Sequence, residues 1–220
     1  DTVFHLAGLA HDIDYKQSVN NFEKLNIDTT KKIANISINN KVKNFVFLSS
    51  VKAINFDDKD LANLKSEIYG KTKRVAEIYL KKISESTDMK VNIIRSSLVY
   101  GPNMKGNLKD LSAAINTGWF PKLTKVTNKR SMIHVDDLVR ALVFAVNEST
   151  GPEPLVVSDG QSYSSKDIYD SIYKNVNNNK IPFRFPEVIL NLGYLVPFFR
   201  KKLNKLYGDD FYSSQEISKL

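Results

Sequence analysis

Ser49, Ser50, Tyr69 and Lys73 are the residues of this chain whose types and spacing could do chemistry together. The two serines end the run Asn44-Phe-Val-Phe-Leu-Ser-Ser50, and the tyrosine and lysine open Tyr69-Gly-Lys-Thr-Lys73-Arg-Val-Ala-Glu77. A spacing of four places Tyr69 and Lys73 on one face of a helix. A hydroxyl, a phenol and an ammonium that converge on one point can pass a proton to and from a carbonyl or alcohol oxygen. A free phenol titrates at about 10, too high for an efficient base at neutral pH. A positive Lys73 one turn away favours the phenolate and is expected to lower that value.

These groups need a strand and a helix to hold them. Asn44–Ser49 is a short apolar run bounded by polar residues, the pattern of a buried strand. Its C-terminal end is where open α/β sheets bind ligands. The Tyr69 helix is expected to reach about Ser84, with Ile68, Val75, Ala76 and Tyr79 as its apolar stripe. Upstream, Thr2–Leu6 is a short apolar run followed by the small residues Ala7-Gly8, which allow close approach of a ligand or another backbone. A helix is expected from about Tyr15 to Asn39, with Val19, Phe22, Leu25, Ile33 and Ile36 at helical spacing. Val91–Arg95 is a further strand, ending before a turn at Gly101-Pro102. The order βαβαβ, with connections long enough for right-handed crossovers, gives parallel strands.

The second half is less regular. A helix is expected over Leu108–Thr117, a strand over Lys129–His134, and a helix capped by Asp136 or Asp137 through Asn147. Pro154–Val157 is another strand. Ser164-Ser-Lys-Asp167 forms a capping box that opens a helix to about Val176. Past Pro186 the chain is amphipathic and aromatic-rich.

The chain has 220 residues, 42% of them hydrophobic, no cysteine, and a formal charge of +8. That length suits one medium domain or a domain with a small appendage. Disulfide, thiol and cysteine-metal chemistry are excluded, and three scattered histidines make no ligand cluster, so no metal site is expected. No run approaches membrane-spanning length, the opening residues lack a basic signal region, and a cytoplasmic location with no membrane partner is expected. The basic excess suits an anionic substrate such as a nucleotide diphosphate. It also suits weak, non-specific nucleic-acid binding, or simply a solvated surface.

Several motifs arrive in one order. Tyr69-x-x-x-Lys73 follows Ser-Ser at a strand end. His5-Leu-Ala-Gly8 is similar to a His-Leu-Ala-Ala segment, and Leu25-Asn26-Ile27 to Asn-Val-x-Gly-Thr, although Asp28-Thr-Thr lacks the glycine. Arg95-Ser-Ser-Leu-Val-Tyr-Gly-Pro102 is similar to Arg-Pro-x-x-Val-Tyr-Gly-Pro, with Ser96 in place of proline. Arg130-Ser-Met-Ile-His-Val-Asp-Asp137 completes the series. Over residues 1 to about 170 the chain resembles the extended short-chain dehydrogenase/reductases, and within them the NAD-dependent nucleotide-sugar epimerase/dehydratase family. Phe47-Leu-Ser-Ser-Val-Lys52, Lys105-Gly-Asn107 and Val157-Ser-Asp-Gly160 look most like bacterial UDP-sugar 4-epimerases and UDP-4-keto-sugar 4-reductases of surface polysaccharide synthesis. Dehydratases of this family carry Thr-Asp-Glu where this chain has Ser49-Ser50-Val51, so water elimination is not expected.

The resemblance implies a Rossmann-like α/β fold, a parallel sheet with helices on both faces. Residues 1–105 would form a partial cofactor-binding region and 106–220 a substrate-binding region, with a return strand and helix near 131–147. It implies Ser50, Tyr69 and Lys73 as catalytic residues. Leu6, Ala7, Gly8, Ser49, Ser97 and Leu98, with Tyr69 and Lys73, would hold NAD or NADP. Ser50, Asn107 and Arg130 would meet a UDP-sugar, although Asn107 is equally a helix cap. The activity would be epimerisation or reduction at C4, in a full-length homodimer; the alternative is a non-catalytic relative serving as scaffold or RNA binder. His5 and His134 are expected to be structural. The sequence contains no Gly-x-x-Gly-x-x-Gly loop, which cradles a pyrophosphate at a helix N-terminus. About two βα units, of the ~30-residue βαβ scale, are therefore expected to be missing, and these 220 residues alone to be inactive and not to bind NAD.

Overall fold

The computed structural model describes residues 1–10, 19–57, 60–62, 67–117, 122–123, 126–148, 151–175 and 207–213. The chain opens on strand β1 (Thr2–His5), then one continuous helical stretch made of α1 (Val19–Phe22), a π-helical turn (Glu23–Asp28) and α2 (Thr29–Asn39). Strand β2 (Asn44–Ser50) leads through a 3₁₀ turn (Val51–Ala53) to α3 (Ile68–Ser86). Strands β3 (Lys90–Ser96) and β4 (Leu98–Tyr100) and helix α4 (Asn107–Asn116) follow. Strand β5 (Met132–His134), helix α5 (Val135–Glu148), strand β6 (Leu155–Val157) and helix α6 (Ser165–Asn175) complete the described elements.

Four strands form a parallel sheet in the order β1-β2-β3-β6. The unbroken apolar runs of β2 and β3 follow from burial on both faces. On one face Phe45, Phe47, Val91 and Ile93 pack with Ala34 of α2 and with Ala76, Leu80 and Ile83 of α3. On the other, Val46, Ile94 and Val157 pack with Leu138, Leu142 and Ala145 of α5. Each such large side chain contributes about 1.5–3 kcal/mol on full burial. The expected Rossmann-like α/β fold is therefore present, with the C-terminal ends of β1, β2 and β3 on one edge.

The chain divides into two compact units, Asp1–Val99 with Ile133–Asp159, and Tyr100–Met132 with Gly160–Ser213. The return segment runs on to 159, beyond the expected 147, because β6 pairs with β3 and belongs to the first sheet. In the second unit Ile115, Leu123, Val126 and Tyr169 form the core. There Arg130 bridges to Tyr163 and to Asp210 in extended conformation.

Three local expectations change. The π turn re-phases the first helix, so Leu25 and Ile36 face solvent while Asn26, Thr30 and Ser37 are buried. On α3 the buried face is Thr72, Lys73, Ala76, Glu77, Leu80 and Ile83, more polar than the expected stripe. Helix α5 starts at Val135, before either aspartate, and the His134 ring nitrogen accepts from the Asp136 amide at 3.3 Å. Residues 15–18 of the first expected helix, and residues 187–206 and 214–220 of the segment past Pro186, lie outside the described residues.

Candidate active site

Ser50 is the last residue of β2, in extended conformation, and its hydroxyl accepts from the Lys52 amide at 3.3 Å as the chain turns into the 3₁₀ segment. Tyr69 is the second residue of α3. Its first turn lies hard against Val51–Ala53, and Gly70 makes this possible: a Cβ there would sit 2.4 Å from the Lys52 carbonyl oxygen and 2.7 Å from the Phe56 ring. The close approach brings the Tyr69 phenol within hydrogen-bonding reach of the Ser50 hydroxyl. Burial pushes the Tyr69 pKa above the usual phenol value, and the Ser50 bond works against that shift. The expected lowering by Lys73 is not found: burial dominates and only the Ser50 hydroxyl opposes it, so Tyr69 is a neutral phenol at neutral pH.

Lys73 is almost wholly buried, one helical turn on. Its ammonium donates to the Leu48 carbonyl at 2.9 Å and stands 4.6 Å over the Phe47 ring. Burial lowers its pKa to about 8, with the Glu77 charge acting in the opposite sense. It therefore stays charged at pH 7. Gly8 abuts it: a Cβ on Gly8 would lie 3.0 Å from the Lys73 nitrogen and 3.1 Å from the Asn26 amide oxygen. Leu6, Ala7 and Gly8 are exposed in the loop that leaves β1, at the C-terminal edge of the sheet.

That loop is held by Asn26, a residue for which sequence context alone indicates no site role. Its amide oxygen accepts from the Leu9 backbone N–H at 2.7 Å. Its amide nitrogen donates to the Leu9 carbonyl and to the Thr72 hydroxyl, each at 3.0 Å. The side chain points inward because it lies in the π turn, a distortion often found at functional sites. The one available signal was its place in the segment similar to Asn-Val-x-Gly-Thr. His5 faces the interior. It is buried, stacked on Phe47 with ring centroids 5.5 Å apart, and 2.8 Å from the Thr30 hydroxyl. Thr30 itself donates to the Asn26 carbonyl, so the His5 Nε2–H is the donor in that pair.

Ser49 points the other way from Ser50, as alternation along a strand requires. Its hydroxyl donates to Glu77 at 2.6 Å, and Glu77 also receives both ends of the Arg95 guanidinium at 2.9 and 2.6 Å. Ser97 and Leu98 follow β3. Ser97 is buried, its amide donates to the Val157 carbonyl, and its hydroxyl has no hydrogen-bond partner. Among the described residues no group of three His, Asp or Glu is placed to hold a metal ion. No described helix is long and apolar enough to cross a membrane.

Asn107 and Arg130 belong to the second unit. Asn107 is exposed and is the first residue of α4; Gly106, with φ of 65°, occupies the cap position. Arg130 donates to the Ser165 hydroxyl at 3.1 Å and to the Gly208 carbonyl at 3.4 Å. Burial lowers its pKa while Asp210 and Asp209 raise it. Ser165 opens α6 behind the expected capping box, in which Asp167 accepts from the Ser164 amide at 2.9 Å and Ser164 from the Asp167 amide at 3.1 Å.

A serine, tyrosine and lysine gathered at the C-terminal edge of a parallel sheet fit the resemblance noted above. The model of the NAD dependent epimerase/dehydratase family matches residues 1–158. The chain belongs to this family. It is 29% identical over 178 residues to a UDP-glucose 4-epimerase of Vibrio cholerae, covering 76% of this chain and 54% of that protein. It is 26% identical over 218 residues to the N-acetyl-alpha-D-glucosaminyl-diphospho-ditrans,octacis-undecaprenol 4-epimerase of Escherichia coli O157:H7, covering 94% and 65%. The chain thus spans little more than half the length of the first of these relatives. Among solved structures the fold is similar to a UDP-N-acetylglucosamine 4-epimerase of Methanobrevibacter ruminantium in complex with UDP-N-acetylmuramic acid. There the TM-score is 0.68 at 21% identity, over all of this chain and 77% of that one. It is also similar to a UDP-glucuronic acid 4-epimerase of Bacillus cereus in complex with NAD, with TM-score 0.68 at 19% identity over 84% and 62%.

Proposed function

We propose that the protein acts at C4 of a UDP-hexose or UDP-N-acetylhexosamine, as an NAD-dependent 4-epimerase in surface polysaccharide synthesis. The observation that carries this reading is the placing of Ser50 at the end of β2 and of Tyr69 and a buried, charged Lys73 one turn apart on α3, which packs against the turn after β2. The nicotinamide half of an NAD-type cofactor fits the residues around it. Gly8 leaves the space a Cβ would fill beside the Lys73 ammonium, and Ser97 offers a buried hydroxyl without a partner. Leu6, Ala7, Gly8, Ser97, Leu98 and Lys73 would hold that half, with Ser49 contributing backbone only, since its hydroxyl is committed to Glu77. When bound, the cofactor supplies the hydride acceptor and donor for the sugar carbon.

The protein's own residues handle the proton. Tyr69 exchanges it with the C4 oxygen, and Ser50 donates to the same oxygen and holds it against the phenol, which is positioning rather than new chemistry. Lys73 keeps its charge at neutral pH and stabilises negative charge that develops on the phenol oxygen. Arg130 would meet the substrate diphosphate, with Asn107 as a further contact, and the full-length protein would act as a homodimer. A second reading, reduction of a UDP-4-keto sugar, is favoured by the neutral state of Tyr69, which is the form that gives its proton to a carbonyl oxygen.

Incubation of the native protein with NAD⁺ and UDP-N-acetylglucosamine, with the products resolved by NMR, tests the proposal. The expected result is the C4 epimer without net cofactor reduction, and a loss of roughly 100-fold or more in kcat for Tyr69→Phe. Turnover of a 4-keto substrate alone, with one cofactor oxidised per product, would replace the epimerase by the reductase.

A further inference from the structure

We propose that Glu77 is a positioning residue: by bonding Ser49 it fixes the strand end that carries Ser50 onto the helix that carries Tyr69 and Lys73. The inference rests on the reading of those three residues as the catalytic set. Glu77 lies one turn beyond Lys73 on α3 and is 1% exposed. Its carboxylate accepts hydrogen bonds from residues of both neighbouring strands and of its own helix. One oxygen accepts from the Ser49 hydroxyl of β2 at 2.6 Å and from the Arg95 Nε of β3 at 2.9 Å. The other accepts from the Arg95 Nη2 at 2.6 Å and from the Arg74 Nη1 of α3 at 3.3 Å.

Stability alone is a weak reason for such an arrangement. A buried ion pair costs desolvation that its Coulomb attraction barely offsets, and apolar side chains of the same volume often hold a core as well. What apolar packing lacks is direction. A bidentate guanidinium fixes the carboxylate plane, and that plane fixes the Ser49 hydroxyl, whose backbone precedes Ser50. Ser49 and Ser50 sit opposite Arg95 and Ser96 in the register of β2 and β3, so the clamp holds both strand ends. Ser50 reaches the Tyr69 phenol from the other side of the same strand. A strand that slides or twists at Ser49 therefore moves Ser50 directly. The Glu77 charge also favours the Lys73 ammonium against its burial.

Ser49→Ala in the native protein removes the strand from the clamp and leaves the ion pair whole, and Ser49→Thr keeps the hydroxyl. We expect Ser49→Ala to lose roughly tenfold or more in kcat at nearly unchanged KM, and Ser49→Thr to recover most of it. A second measurement needs no turnover: the ¹³Cζ shift of Tyr69 at neutral pH, assigned by its disappearance in Tyr69→Phe, reports the hydrogen bond at the phenol oxygen. It should move in Ser49→Ala and return in Ser49→Thr. If the parent epimerises no UDP-hexose but the resonance moves, the functional reading fails and the positioning role stands. A Tyr69 resonance and a kcat that are both the same in Ser49→Ala as in the parent would overturn the proposal and leave Glu77 a structural ion pair. An unmoved resonance in a parent without turnover would overturn it as well.

Discussion

The His5 imidazole lies between Phe47 and Thr30, close enough to Lys73 to feel its charge, and both burial and that charge lower its pKa from 6.5 to about 4. Between those values the unfolded chain binds more protons than the folded one, so stability falls as pH drops through that window. The loss amounts to as much as about 3 kcal/mol once pH reaches the folded value. Lys73 acts in the same sense, in a more alkaline window. Its pKa of about 8 lies below that of an exposed lysine, so its burial cost is in force at neutral pH and is relieved as pH rises past 8. His5→Gln should therefore flatten the acid side of the stability curve. Urea unfolding at pH 7 and pH 4.5 checks this: the parent is expected to lose clearly more stability between the two pH values than the variant. Parallel losses would show that His5 does not titrate on unfolding.

At the scale of elements, the packing of α3 on the turn after β2 decides whether Ser50 and Tyr69 meet. Gly70→Ala should raise helix propensity by about 1 kcal/mol. It also forces a methyl into the Lys52 carbonyl, and overpacking against backbone costs roughly 1–3 kcal/mol. The expected net is destabilisation by thermal unfolding together with a fall in kcat as Tyr69 is displaced; a stabilised, fully active variant would show that the turn yields freely. What could be read from sequence divides at the same place. Ser50, Tyr69 and Lys73 were legible because a strand end and a four-residue helical spacing are local properties. Asn26 and Glu77 were not. A polar residue within a helical pattern reads as solvated, and what buries these two lies far along the chain: Leu9 and Thr72 for Asn26, Ser49 and Arg95 for Glu77. The π turn that rotates Asn26 inward is invisible to a search at 3.6 residues per turn. Helix α5 began before its aspartates because a histidine ring took the capping role.

For the molecule as a whole, the sheet and the outer face of α5 present apolar surface that a parallel sheet ordinarily covers. Among the described strands β1 lies at an edge of the sheet. Its Phe4 pairs in register with Val46, which packs under α5, so Phe4 lies on that face of the sheet, and it is 42% exposed. On α5, Val139, Val143 and Phe144 share one side of the helix and are exposed too. An edge of this kind is a template for pairing with another chain, and charged side chains are the usual protection against it. Strand β1 carries none: its residues are Thr2, Val3, Phe4 and His5. Residues 1–220 expressed alone should therefore associate as concentration rises, and bind a fluorescent probe of apolar surface. Phe4→Lys combined with Val143→Lys places charge on both parts of that face and should shift the chain toward monomer. Sedimentation velocity over a range of concentrations reads the outcome. A parent that stays monomeric throughout, or a double variant that associates as strongly as the parent, would mean that this face does not drive association and that any self-association arises elsewhere.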